Sequence, residues 1–362
     1  MRIAQFTPTY FDRDSVVGGG ERYPLYVERS LATALKNRLD AVVLGFGSRP
    51  HKTPRITVLE GDPNKKTSCN WSDFRREIQG ADCLIIHQCL SEIGLTAAAH
   101  GRLARVKSII GFDHGSGTFH KLNSHKTLCA VYDTLICQSD FTKDQLSIYG
   151  VPCALITGPV DNIYFTPYSH RRPFSAIDHK PKLLSVGRIL PHKGFEDTIL
   201  AAPEGSMYTI CGSKYDDDYF SFLENLAIKK KVKLDVLEGL SDQDVRHLMR
   251  TSDLYIHPSK HEDYKGHYHE KPELLGLAPL EALCSGTRTI TSSAGALREL
   301  AQIKGCWTFT DIDHLSSLIQ DMCLRSYSSN EPREISLSAS KHYGLTAFGS
   351  KLSHTIQTLI AQ

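Results

Sequence analysis

The chain has 362 residues, more than a single hydrophobic core usually fills, so two domains are expected. Charged residues make up 23% and hydrophobic ones 41%, and Lys plus Arg at 42 nearly balance Asp plus Glu at 40, which excludes a general nucleic-acid binder. No apolar stretch approaches the ~20 residues that cross a bilayer, and the N-terminus lacks a basic region followed by a long apolar one, so a soluble or at most peripheral protein is expected. The ten cysteines are scattered without a CxxC pair, and Cys83, Cys137 and Cys211 lie inside apolar runs, as reduced core thiols of a cytosolic protein do.

In chain order, the apolar run MRIAQF is followed by the glycine loop Gly18-Gly19-Gly20-Glu21-Arg22 and a helical pattern from Tyr26 to Arg38. Glycines between a strand and a helix let backbone N–H groups approach an anion, although the third glycine of a dinucleotide fingerprint is missing, and such a run is also a common flexible turn. AVVLGF, RITVLE, DCLIIH, VKSIIGF, DTLICQS and CALIT then alternate with helical stretches, which predicts parallel βαβ units. His114 closes the apolar strand of SIIGFDHGSG, a place suited to a ligand in a doubly wound sheet. The polar, proline-bearing stretch from Tyr168 to Pro181 divides this series from a second one: KLLSVG, MYTICG, KLDVLEG, DLYIHPS, TRTITSS and CWTF. The expectation is an N-terminal doubly wound domain over 1–168, a linker over 169–181 and a C-terminal one over 182–344. The last segment, 345–362, is a helix whose apolar face (Phe348, Leu352, Ile356, Leu359, Ile360) needs a partner.

Within the second series, Arg188 and Lys193 sit on the strand-to-helix loop VGRILPHKGF, where a planar fork and a mobile point charge can clamp a diphosphate. Read alone, they are more simply a solvated basic pair. In HEDYKGHYHEKPELLGLAPLEALCSG, Leu277–Leu283 reads as a helix, with Pro279 early and Gly286 just past its end, so the amides of Gly276, Leu277 and Ala278 point at whatever precedes it. Glu281 falls one turn in and Glu273 on the loop before, an arrangement that suits hydroxyl recognition better than paired acid/base hydrolysis. His261, Glu262, His267, His269 and Glu270 invite a metal site, but no third and fourth ligand with zinc-like spacing follows, and an inserted loop over a binding cleft is the preferred reading. Asp216-Asp217-Asp218 opens a helix and reads as a cap, and KKKVK at 229–233 as a solvated helix end.

Taken in order, these motifs resemble the retaining glycosyltransferases of family 4, whose GT-B fold pairs two Rossmann-like domains facing a central cleft. GGGER is similar to the family's N-terminal glycine loop, FDH to its histidine strand and GPVDNIYFTP to its linker-side motif. VGRILPHKGF resembles its GR…K-G, ELLGLAPLEALCSG its E-x7-E and SSAGALREL its G-G-x-P-E segment. The resemblance implies a hexosyl transfer from a nucleoside-diphosphate sugar, UDP by default, to a hydroxyl of a glycan, lipid-linked or small-molecule acceptor, with no cofactor and no essential metal. It further implies that Arg188 and Lys193 meet the donor diphosphate, that Glu281 meets its ribose and that Glu273 contacts the transferred sugar. The backbone of Gly276 and Leu277 approaches the diphosphate and sugar, Gly18 and Gly19 close on the phosphates, His114 lies near the sugar, and the last helix packs on the N-terminal domain. The insertion over 260–272, Leu274-Leu275 and Arg298 depart from the family's pattern and bear on sugar identity and acceptor shape. A sugar-nucleotide epimerase and a non-catalytic sugar-nucleotide-binding subunit are the rival readings. The joint presence of Arg188, Lys193, Glu273 and Glu281 weighs against the latter.

Overall fold

A computed structural model describes residues 1–8, 19–36, 39–47, 51–53, 56–61, 70–115, 125–168 and 180–362. The chain divides into two units, Met1–Pro159 with Leu345–Gln362, and Val160–Gly344.

The first unit carries the strands β1 (Arg2–Phe6), β2 (Asp40–Gly47), β3 (His51–Lys52), β4 (Ile56–Glu60), β5 (Cys83–His87), β6 (Ser108–Phe112), β7 (Thr134–Cys137) and β8 (Cys153–Leu155). They form one sheet in the order β3-β4-β2-β1-β5-β6-β7-β8, parallel except for the pairing of β3 with β4. Strands such as CLIIH and SIIGF are buried throughout, which is why they read as continuous apolar runs and not as alternating ones. The crossovers run through α1 (Gly19–Leu35), α2 (Trp71–Ile78), α3 (Glu92–Leu103), α4 (His125–Val131) and α5 (Asp140–Ser147). Helix α1 starts before the expected Tyr26 and runs through Pro24, its sixth residue, which lacks the N–H for one intrahelical bond. It also ends before the expected Arg38, at Leu35, followed by Lys36 in the left-handed region (φ 49°).

In the second unit, β9 (Lys182–Val186), β10 (Met207–Cys211), β11 (Lys233–Leu237), β12 (Leu254–His257), β13 (Thr289–Thr291) and β14 (Cys306–Thr308) form a wholly parallel sheet ordered β11-β10-β9-β12-β13-β14. Its helices are α6 (Phe195–Ala201), α7 (Asp217–Lys230), α8 (Asp242–Thr251), α9 (Leu277–Cys284), α10 (Ile312–Leu324) and α11 (Glu331–Tyr343). The strand order reverses between β9 and β12, so the carboxyl ends of those two strands open a crevice in which such sheets take ligands. Asp216 caps α7 by accepting a hydrogen bond from the Tyr219 amide (2.8 Å), and Lys229 and Lys230 close the helix at its exposed end.

Two placements differ from the sequence expectation or complete it. Residues 160–168, expected with the N-terminal domain, pack instead with Val160–Gly344: Arg246 bonds the Tyr164 carbonyl (3.0 Å) and Arg250 the Thr166 carbonyl (2.5 Å). The last helix, α12 (Leu345–Ala361), belongs to the first unit. Its Phe348 lies 6.4 Å from both the Tyr23 and Phe112 rings, and a Cβ on Gly349 would overlap the Ser30 carbonyl, so α12 crosses α1 at close range.

Candidate active site

A grouping of charged side chains with buried polar partners lies where β9 and β12 end. A Cβ on Gly212 would overlap the Gly187 carbonyl, so these two strand exits run against each other and release Arg188 at the sheet's edge. Arg188 is exposed, its guanidinium 5.7 Å from the Tyr215 ring centroid, and it has no acidic partner among the described residues. A single helical turn, Pro191–Lys193, follows, ending at Gly194 with φ 65°. A side chain at Gly194 would overlap the Pro258 carbonyl, and this close approach sets Lys193 beside the end of β12.

Lys193 Nζ lies 3.0 Å from Glu273 Oε1, with the two side chains 11% and 18% exposed. The same oxygen accepts a second hydrogen bond, from His257 Nε2 at 2.7 Å. His257 ends β12, is nearly fully buried, and has Tyr255 OH 3.1 Å from its Nδ1. Burial alone would favour the neutral acid at Glu273. The Lys193 charge and the His257 hydrogen bond outweigh it and hold the carboxyl well below the usual range. The backbone is fixed as tightly: the Glu273 carbonyl accepts from the Ala296 amide (3.0 Å), and Gly295, at φ 55°, leaves no room for a Cβ against that carbonyl. His192 lies in the same field and is pushed down to about 4 by burial and then by Lys193.

Helix α9 begins at Gly276, whose φ of 83° and whose contacts with Leu297, Pro279 and Leu300 admit no side chain. No side chain caps it, so the first-turn amides of Leu277 and Ala278 have no acceptor among the described residues, and the third position is Pro279, which has no N–H. Glu281 is buried one turn further in. Lys193, Glu273, Gly276, Leu277 and Glu281 are thus assembled by one strand-to-helix loop and one helix start, with Arg188 at the rim. Tyr255, His257 and Gly295 were missed by sequence reasoning. The His-Pro-Ser that closes a buried run was the available signal for His257, and the glycine of SSAG for the clamp on Glu273.

The 260–272 insertion is a compact hairpin. Asp263, buried, accepts from the amides of Lys265 (2.8 Å) and His267 (3.0 Å) and from His269 Nε2 (2.9 Å), and despite the opposing effect of burial these bonds bring its carboxyl down to about 2. His261 donates through Nδ1 to the His269 carbonyl (2.9 Å) and accepts at Nε2 from the Gly295 amide (3.2 Å), while the His269 ring lies 4.8 Å from that of His192, tilted by 37°. Tyr264 anchors the hairpin on Phe222 of α7, with ring centroids 4.6 Å apart. His261 and His269 serve as hydrogen-bonding struts, and no group of three or more His, Cys, Asp or Glu among the described residues is arranged to hold a metal.

In the first unit, Gly19 opens α1 and Gly18 lies outside the described residues. His114 has both ring nitrogens engaged: Nδ1 by Gln138 Nε2 (3.0 Å) and Nε2 by His87 Nδ1 (2.8 Å), with His87 Nε2 then reaching Gln5 Oε1 (3.1 Å). Burial pushes His114 down to about 4 and His87 further still. No helix among the described residues is long and apolar enough to cross a membrane.

Residues 169–331 match the model of the family described as glycosyl transferases group 1. An uncharacterized glycosyltransferase of Methanocaldococcus jannaschii is 29% identical over 148 residues, a match covering 38% of this chain and 34%, about a third, of that protein. Among solved structures, sucrose-phosphate synthase from Thermosynechococcus elongatus superposes with a TM-score of 0.73 at 15% identity over 99% of each chain. A glycosyltransferase from Rickettsia africae gives 0.72 at 13% over 99% of this chain and 98% of that one. Anabaena HepE, solved in complex with UDP-glucose, gives 0.69 at 15% over 99% and 100%. These likenesses establish the two-sheet GT-B fold.

Proposed function

From the premise that residues 169–331 are a glycosyl transferases group 1 domain, we propose that the protein is a cytoplasmic, retaining glycosyltransferase. It transfers a hexosyl group from a nucleoside-diphosphate sugar, UDP-linked by default, to an acceptor hydroxyl on a glycan, lipid-linked glycan or small metabolite, without an essential metal. UDP is favoured because HepE, a structural neighbour, was solved with UDP-glucose.

The observation that carries this reading is the pairing of Lys193 with a Glu273 carboxylate beside an uncapped helix start. An ammonium has three N–H groups and Glu273 takes one, so two remain for phosphate oxygens. Arg188 adds a planar fork from the rim, and the Leu277 and Ala278 amides add the positive end of α9. In the step proposed, the bond between the anomeric carbon and the phosphate oxygen breaks while the acceptor oxygen bonds the same face of that carbon. The acceptor proton passes to the departing phosphate oxygen. Charge therefore develops on the diphosphate, where these preorganised donors are worth most. Glu273 orients sugar hydroxyls and Glu281 the ribose. His114, with both nitrogens committed, is assigned no proton transfer.

The test is the thermal midpoint against UDP-, GDP-, ADP- and dTDP-sugars in EDTA, for the wild type and Arg188→Ala. A shift with one donor that survives EDTA and disappears in the variant supports the reading. A shift that requires a divalent metal, or none at all, overturns it. Donor conversion without an acceptor would mark an epimerase, and binding without turnover a non-catalytic subunit.

A further inference from the structure

We infer that His257 is a positioning residue that aims the Glu273 carboxylate, leaving one oxygen of that group as a dedicated acceptor for a hydroxyl of the bound sugar. The inference rests on the transferase reading for the identity of the ligand, but not for the geometry.

His257 Nε2 lies 2.7 Å from Glu273 Oε1, so Nε2 carries a hydrogen, since a bare ring nitrogen there would set two lone pairs against each other. The ring has little freedom to turn. Tyr255 OH lies 3.1 Å from Nδ1, and the two rings, two residues apart on one face of β12, are inclined by only 13°. Lys193 joins His257 on the same Oε1, so both bonds converge on one oxygen. Oε2 has no partner among the described residues, and the side chain keeps 18% of its surface open. A carboxylate held this way can take a hydrogen bond from a hydroxyl and cannot swing to meet one elsewhere. The site is therefore selective for a sugar carrying a hydroxyl at that point over one deoxygenated there, because a buried charged acceptor left unmatched is costly.

Two measurements test this. In protein labelled with 15N at histidine, His257 should show a slowly exchanging Nε2–H that is lost in Glu273→Leu. A hydrogen on Nδ1 with Nε2 bare, or a resonance indifferent to Glu273→Leu, overturns the inference whether or not any nucleotide binds. The second measurement is the affinity for UDP and for the UDP-sugar that stabilises the wild type most. His257→Ala should leave UDP within ~2-fold and remove about 10-fold of the advantage the sugar confers. His257→Gln, whose Nε2 lies the same number of bonds from the backbone, should restore it, and His257→Asn should not. Equal weakening of both ligands, or Gln behaving as Asn does, means a merely structural histidine. If His257→Ala does not fold, the Gln and Asn pair decides. If no nucleotide sugar binds the wild type, the transferase reading falls and the labelling experiment alone judges His257.

Discussion

Each unit carries a buried chain of hydrogen bonds running through histidine, and the two chains are built to opposite ends. In the first unit, Gln138 donates to His114, His114 to His87 and His87 to Gln5, so that every ring nitrogen is matched by a neutral protein group. In the second, Tyr255, His257 and Glu273 lead to Lys193, and the chain ends in an ion pair with a carboxylate oxygen and two ammonium hydrogens still unspent. The first chain is uncharged and matches both nitrogens of each histidine, leaving only the buried Gln5 Nε2 at its end without a hydrogen-bond partner among the described residues, which suits architecture. The second is charged and open at its ends, which suits a ligand. Proximity of histidine to a strand terminus is therefore a poor guide to function by itself; what separates the cases is whether the histidine leads to neutral groups or to an ion pair with hydrogen-bonding capacity to spare.

The largest effect should come from breaking the open chain. Under the proposed transferase function Lys193→Ala would remove a cation from the leaving diphosphate, and kcat/KM is expected to fall ~10²–10³ in a transfer assay with the donor identified by thermal shift. Because the pair is partly exposed, the loss of folding stability should stay below the ~3–5 kcal/mol typical of fully buried pairs, read from the denaturant midpoint. A turnover loss no larger than expected from the stability change would mean that the second chain is architectural too.

Gly295→Ala attacks the same chain through its backbone. A methyl group there meets the Glu273 carbonyl at a positive φ, and a cost of about 1–3 kcal/mol is expected from the strain alone. The diagnostic is KM for the donor rising in step with displacement of Glu273, where the same substitution at Gly239, which has nothing within 4 Å, should cost stability only.

Burial of the first chain predicts a pH dependence of stability. His114 titrates at about 4 in the folded state and near its ordinary value of 6.5 when unfolded, so between those limits the unfolded chain binds more protons. Its share of stability is whole above pH 6.5 and is lost as pH falls toward 4, amounting to about 2 kcal/mol at pH 5. His114→Gln should flatten the slope of unfolding free energy against pH by up to one proton in that window. His192, also pushed down to about 4, keeps a similar slope in the second unit, so the flattening is partial. Glu273, held low, stays ionised throughout.

Most of the fold was legible because buried parallel strands announce themselves as short apolar runs. Arg188, Lys193, Glu273 and Glu281 were legible because their spacing places them on a loop and a helix start. His257 was not: in sequence it is one more residue of LYIH, and only the pairing of β12 with β9 on one side and β13 on the other brings it beside Lys193 and the loop that carries Glu273. The role of the 260–272 insertion was equally hidden, since a run of histidines and carboxylates has the composition of a metal site and the connectivity of a hairpin. The start of α1 was obscured because the helix runs through Pro24, which removes one intrahelical bond and locally reads as a boundary.

The smallest effect tests the same distinction between composition and connectivity at Asp216-Asp217-Asp218. The Asp216 side chain accepts the Tyr219 amide, one of the four N–H groups that the first turn of α7 cannot satisfy internally. Asp217 and Asp218 sit within that turn, where negative charge complements the helix dipole. Asp216→Ala should therefore cost about 1 kcal/mol, and Asp216→Asn, which keeps the accepting oxygen, only a few tenths. Neither should change donor affinity in EDTA or with added divalent metal. If Asp216→Asn instead weakened donor binding only when metal is present, the triplet would be a metal–diphosphate site, and the open chain at Glu273 would no longer account for the donor's charge.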